Sequence, residues 1–237
     1  MPTTPTLPDA NFLPSIGDFD AILASYAAEA GMAARDGVVR LVTYTPHTYL
    51  LRGNSPIRNG SFDAAALLAS LKAVAPLPSR FYMIDVSLTS DLLPHEFADK
   101  KVEAEYWRQH SQAGRLISHP VFGAVTSPDD FPDVPRRKIS ALPGVDRLPE
   151  LLAALHQEMS ECTPTVIYVH CEAGKDRTGE VIAAYSMQYL RLSYRDALAQ
   201  AREIAGRHLN RFNEQAMRWY AYYLRDILGV QTIGAID

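Results

Sequence analysis

The residues able to do chemistry gather in one short run, His170-Cys171-Glu172-Ala173-Gly174-Lys175-Asp176-Arg177-Thr178-Gly179. It follows the apolar stretch TVIYV and precedes EVIAAYSMQYL, so it falls where a strand turns into a helix. The first turn of a helix presents N–H groups that lack intrahelical partners and carry partial positive charge. A loop curled there aims successive amides into one concavity, which suits a tetrahedral dianion. Gly174 lets the backbone turn with no Cβ in the way, and Arg177 offers a planar fork matched to two phosphate oxygens. The same field lowers the pKa of a thiol from its usual value of about 8.5, so Cys171 is expected as a thiolate near neutral pH. A thiolate at the floor of such a cradle attacks phosphorus in line and forms a phosphocysteine that water later hydrolyses. Thr178 is placed to give its hydroxyl to the sulfur, and His170 to orient the loop. Glu172, Ala173, Lys175 and Asp176 complete the anion-binding segment.

The elements that must hold this loop alternate. DFDAILASYAAEAG (18–31) reads as a helix stopped at Gly31, behind an extended, proline-bearing arm over 1–17. GVVRLVTYT and HTYLLRG read as strands, and SFDAAALLASLKAVAP as a helix with Ser61 at its N-cap. RFYMIDVSL (80–88) is a buried strand, and PHEFADKKVEAEYWRQHSQAG a charged helix stopped at Gly114. Residues 116–135 show no period and read as a loop layer. RRKISALPGVD (136–146) reads as a strand ending in a turn, and LPELLAALHQEM as a helix. TVIYVH lacks alternation, which suits a parallel strand covered on both faces. Three helices follow: TGEVIAAYSMQYL, apolar nearly all round; SYRDALAQAREIAG, between a Ser193 cap and Gly206; and NEQAMRWYAYYLRDILG, with Met217, Tyr220, Ala221, Leu224 and Leu228 on one face. The fold class is α/β: one domain over 18–237, with a central, mostly parallel sheet flanked by helices.

Composition narrows the function. A net charge of −4 argues against a nucleic-acid partner, because phosphate-backbone affinity needs a basic surface. No apolar run approaches the ~20 residues of a membrane span. The N-terminus carries no recognisable signal peptide, and two cysteines, Cys162 and Cys171, make no disulfide framework. Both thiols are therefore expected free, in a reducing, cytoplasmic setting, with passage into a host cell left open. The histidines lack zinc spacing, so neither a metal nor a cofactor is expected.

The signature resembles the His-Cys-x5-Arg-Ser/Thr motif of the cysteine-dependent protein tyrosine phosphatase superfamily. The strand before it and the helix after it fit that family too. The Lys175-Asp176 pair before Arg177 looks like the bacterial and atypical dual-specificity branch, some of whose members hydrolyse phosphoinositides. RGNSPIRNGSFDAAALLASL followed by FYMIDVSL is similar to the bacterial phytase-like phosphatases. The resemblance implies a metal-independent phosphomonoesterase. Its substrate is a phosphotyrosine or other phosphoprotein, or a phosphoinositide or inositol phosphate. It also implies an aspartate, commonly about thirty residues upstream of the cysteine, that protonates the leaving group. Asp146 lies 25 residues upstream and is the first choice; Asp129, Asp130 and Asp133 lie farther off, and Asp176 sits inside the signature.

Blander readings stand beside these. Cys162 is structural, and Lys175 is either a phosphate contact or a solvated lysine. Arg136, Arg137 and Lys138 either meet a polyanionic substrate or line a solvated edge. Gln215 either places the hydrolytic water or sits on a helix surface. The alternative function is a catalytically silent phosphate-binding module. Oligomeric state is not legible.

Overall fold

Seven residues, TVIYVHC, set the architecture. Strand β7 (Thr165–Cys171) is buried along its whole length. A run of β-branched and aromatic residues with no polar face is stable only when both faces and both edges are covered. β7 accordingly pairs in parallel with β2 (Thr48–Asn54) on one side and β5 (Tyr82–Ser87) on the other. The sheet order is β1-β2-β7-β5-β6, with β1 (Arg40–Tyr44) antiparallel at one edge and β6 (Gly114–Ser118) parallel at the other. A two-stranded ribbon, β3 (Ile57–Arg58) and β4 (Ser61–Phe62), lies apart from it. The structure, a computed structural model, describes residues 39–236 except 143 and 145, with Ala21 and Ala24 ahead of them. The arm over 1–17 lies outside the described residues, as does the helix over 18–31 apart from Ala21 and Ala24, which are helical and exposed.

The pleat sorts the core into two layers. Ile167, Val169 and Cys171 face one side of the sheet, together with Leu50, Ile84 and Val86. There they meet α4 (Leu148–Met159), α5 (Asp176–Tyr189), α6 (Tyr194–Ala205) and α7 (Arg211–Tyr222). Val166 and Tyr168 face the other side with Leu51 and Met83, against α1 (Ala64–Val74) and Trp107 of α2 (Pro94–Gln109). Side chains alternate along a strand, so His170 belongs to the α2 layer and Cys171 to the α5 layer. No helix among the described residues is long and apolar enough to cross a membrane.

Four expectations are corrected. Residues 136–146 do not form a strand: Asp133–Ser140 is a helix, α3, with Asp133 in its first turn and Arg137 and Lys138 in its last. That distribution complements the helix dipole, and the Arg136 guanidinium stacks 4.4 Å over the Tyr222 ring. The strand the sheet needs is instead GRLIS, 114–118, which runs from the expected helix stop into the stretch read as loop from 116. Gly114 opens it rather than stopping α2, and a Cβ there would lie 2.3 Å from the Trp107 ring. Ser61 sits in β4, and the cap of α1 is Asp63, which accepts from the Ala66 N–H. Leu228 is 48% exposed, because a π turn over Tyr223–Ile227 rotates the face that carries Met217, Tyr220 and Leu224.

Candidate active site

β2, β7 and β5 end together: Asn54 lies opposite Cys171, and Ser87 opposite His170. Open α/β sheets bind ligands outside these carboxyl ends. The signature loop leaves β7 here and enters α5, with Lys175 at the N-cap and Gly179 N–H donating to Lys175 O at 2.7 Å. Gly174 has φ +68°, and a Cβ there would lie 2.4 Å from the Gly53 carbonyl and 2.7 Å from Asn54 N. Only glycine lets the loop rest on the end of β2.

The carbonyls of the loop are engaged by its surroundings. Cys171 O accepts from His170 Nδ1 at 3.3 Å, and Glu172 O from Ser55 N–H at 3.0 Å. Gly174 O accepts from Arg52 at 2.7 Å. In a planar trans peptide, C=O and N–H point opposite ways. Fixing these three oxygens turns the Glu172, Ala173 and Lys175 N–H groups away from those partners.

The side chains beneath the loop are charged and buried. Arg177 is 1% exposed and donates to Glu96 of α2 through two nitrogens, at 2.6 and 3.0 Å. That bidentate pair uses two of the five N–H donors of a guanidinium and fixes its plane. Glu96 also accepts from Ser90 N–H at 2.7 Å. His170 Nε2 lies 3.1 Å from Asp85 and 2.9 Å from Glu103, and Asp85 accepts from Trp107 Nε1 at 2.8 Å. Burial opposes charge on His170, but Glu103 and Asp85 outweigh it, and the imidazole pKa stands well above its ordinary value. Burial pushes Glu103 up as well, with Asp85 adding to the rise and His170 opposing it. Donors of Asp85, Glu103 and His170 converge closely enough for a metal, as do those of His95, Glu96 and Glu172. In the first group an imidazolium already supplies the positive charge. In the second, Glu96 holds Arg177, and His95 pairs with Glu172 at 3.1 Å.

The other expected residues divide. Cys171 is 2% exposed, Ala173 is buried, and Glu172 and Lys175 are half-buried. Thr178 is fully buried, and its hydroxyl makes no hydrogen bond among the described residues, so the expected bond to the sulfur is not formed here. The Asp176 carboxylate turns to Arg207, at 2.9 and 2.7 Å, and to the Asn210 N–H. Asp146 is buried, and its two oxygens accept from the Phe122 and Gly123 N–H groups at 2.7 Å each. It also faces Glu180, which accepts from Asn213 at 2.8 Å. Burial raises the Asp146 carboxyl to about 7, against the pull of the two amides and of Glu180. Asp129 pairs with Arg218, Asp130 accepts from Ser127 N–H, and Asp133 pairs with Arg136. Cys162 and Cys171 are both free.

Sequence reasoning missed Arg52, Asp85, Glu96 and Glu103. Three of them left a signal. Glu96 and Glu103 lie seven apart on α2, with Trp107 four further on, a single buried face in a helix without an apolar stripe. Asp85 interrupts the apolar run Met83-Ile84 and Val86 of β5.

Fold and loop together define an α/β protein whose central strand ends in a buried cysteine, beside a helix N-terminus and two buried guanidinium groups. No family model matches the chain, and no curated protein matches it. Among solved structures it is similar to PTPMT1, at 14% identity and TM-score 0.45 over 81% of this chain and 99% of that one. It is similar also to the core catalytic domain of the PP-IP phosphatase SIW14 from S. cerevisiae, at 17% identity and TM-score 0.38 over 77% and 89%. Human DUSP28 matches at 18% identity and TM-score 0.40 over 79% and 94%.

Proposed function

We propose that the protein is a metal-independent phosphomonoesterase of the cysteine-dependent kind. The observation that carries this reading is Arg177, buried in the first turn of α5 and held in plane by Glu96, on the loop that begins at Cys171. The Cys171 thiolate attacks phosphorus, an S–P bond forms, and the ester P–O bond breaks as the leaving oxygen takes a proton. Water then attacks phosphorus, the S–P bond breaks, and inorganic phosphate leaves with the thiolate restored. The loop amides and Arg177 bind the equatorial oxygens, where charge is spread in the transition state. Substrates are a phosphotyrosine or other phosphoprotein, or a phosphoinositide or inositol phosphate, with Lys175 at the rim to meet a second phosphate. Asp146 takes the role of proton donor, supported by a carboxyl raised by burial to about 7, which leaves a large share of it protonated at neutral pH.

One observation favours a second reading, a phosphate-binding module without turnover. Every candidate acid is engaged: Asp146 by two backbone amides, Asp176 by Arg207, Asp129 by Arg218. Hydrolysis of p-nitrophenyl phosphate separates the two, since its leaving group needs no acid and a silent module releases none of it. In an enzyme, Cys171→Ser abolishes turnover, and rapid quench of the wild type traps a phosphate on Cys171. Asp146→Asn lowers kcat far more for alkyl phosphates than for p-nitrophenyl phosphate; equal losses would take the acid's role from it.

A further inference from the structure

The loop has a second buried cation, contributed by a distant strand. Arg52 lies in β2 opposite Val169, on the same face of the sheet as Cys171, and is 1% exposed. Its Nη2 donates to Gly174 O at 2.7 Å and lies 3.5 Å from Lys175 O. Among the described residues it forms no ion pair with a carboxylate, and its Nε has no hydrogen-bond partner. A buried guanidinium that meets only carbonyls is costly unless an anion arrives to share its charge.

The geometry supports this reading. Holding the Gly174 and Lys175 carbonyls on the Arg52 side turns the Lys175 and Asp176 N–H groups to the other side of their peptide planes. Three residues on, Ser55 N–H does the same for Glu172 O. Gly53 and Asn54, between them, form the bed on which Gly174 rests. The end of β2 is thus a strap under the loop, and Arg52 is its charged member. We propose that Arg52 is a positioning residue of the anion loop, holding its amides toward a bound phosphoryl group and placing a fixed positive charge behind Cys171.

The charge survives its burial. Burial lowers the Arg52 pKa to about 10, and the nearby Cys171 sulfur is the largest influence raising it. The role rests on the phosphatase reading, because only there does an ionised sulfur with a phosphoryl ligand matter.

The test compares wild type, Arg52→Met and Arg52→Lys by the pH dependence of Cys171 alkylation with iodoacetamide, and by its protection with vanadate. Arg52→Met moves the alkylation midpoint up by about one pH unit or more, the usual effect of losing a nearby opposite charge. It also weakens vanadate protection by about tenfold or more, as loss of a charge-assisted grip on the loop predicts. Arg52→Lys keeps the midpoint near wild type but loses part of the protection, because an ammonium supplies charge without the planar fork. Wild-type midpoints and protection in both variants overturn the inference. If Arg52→Met does not fold, as read by circular dichroism, Arg52→Lys decides alone: unchanged protection overturns it. A wild-type Cys171 that vanadate does not protect would instead sink the phosphatase reading, which keeps the two failures distinct.

Discussion

Two pairs of buried carboxylates lie on opposite faces of the sheet and solve the same problem differently. Asp85 and Glu103 flank His170 under the α2 layer, with Trp107 donating to Asp85. Asp146 and Glu180 face each other in the α5 layer, with backbone amides and Asn213 around them but no cation paired with either among the described residues. An imidazolium stands between the members of the first pair and supplies a positive charge to both. The second stays buried only by holding a proton, and both its members are raised, chiefly by burial. A buried acid pair is therefore held by an opposite charge where a cation divides it and by a proton where none does, and the two respond to pH in different ranges.

The largest expected effect breaks the first pair. His170→Ala leaves two carboxylates facing each other with no cation, which costs about 3–5 kcal/mol in urea unfolding at neutral pH. A loss under 1 kcal/mol would mean that the two clusters do not differ in kind. Trp107→Phe keeps the ring but removes the bond to a charged oxygen of Asp85, worth about 1.5–3 kcal/mol.

Asp146→Asn sharpens the contrast through pH. In the folded protein Asp146 titrates near 7, against 3.8 as its ordinary value. Between those values the folded state binds more protons than the unfolded one, so this group's contribution to stability falls as pH rises from about 4 to about 7 and then levels off. The asparagine variant removes that slope, at a cost of about 1 kcal/mol for an amide left without its acceptor. An unchanged slope in a urea series across this range would place the shared proton elsewhere. His170 works at a different pH: its stabilisation is full below about 6.5 and is lost only as pH climbs through its raised folded value. The smallest effect is the baseline. Asp129→Ala removes an exposed pair with Arg218 and costs about 0.2–1 kcal/mol, screened by salt.

The loop was legible because its information is local. An apolar strand, a glycine that must turn and an apolar helix follow one another within 25 residues, and each propensity depends on near neighbours in the chain. The strands at 48–54, 82–87 and 165–171 and the helices after 148 were legible for the same reason. The edge strand at 114–118 and the helix at 133–140 were not. Five residues opened by a glycine carry little pattern, and α3 takes its place from contacts such as Arg136 on Tyr222.

By itself, then, the sequence determined a cysteine and an arginine on a strand-to-helix turn inside an α/β chain. Only the tertiary structure decided that Glu96 holds Arg177 from 81 residues away, that Arg52 reaches Gly174 across 122, and that Asp146 turns its carboxyl to Phe122 and Gly123. The physical reason is register. Which charges meet in the interior depends on how distant strands align and which face the pleat gives each residue, and a pairing shifted by one residue reverses every face.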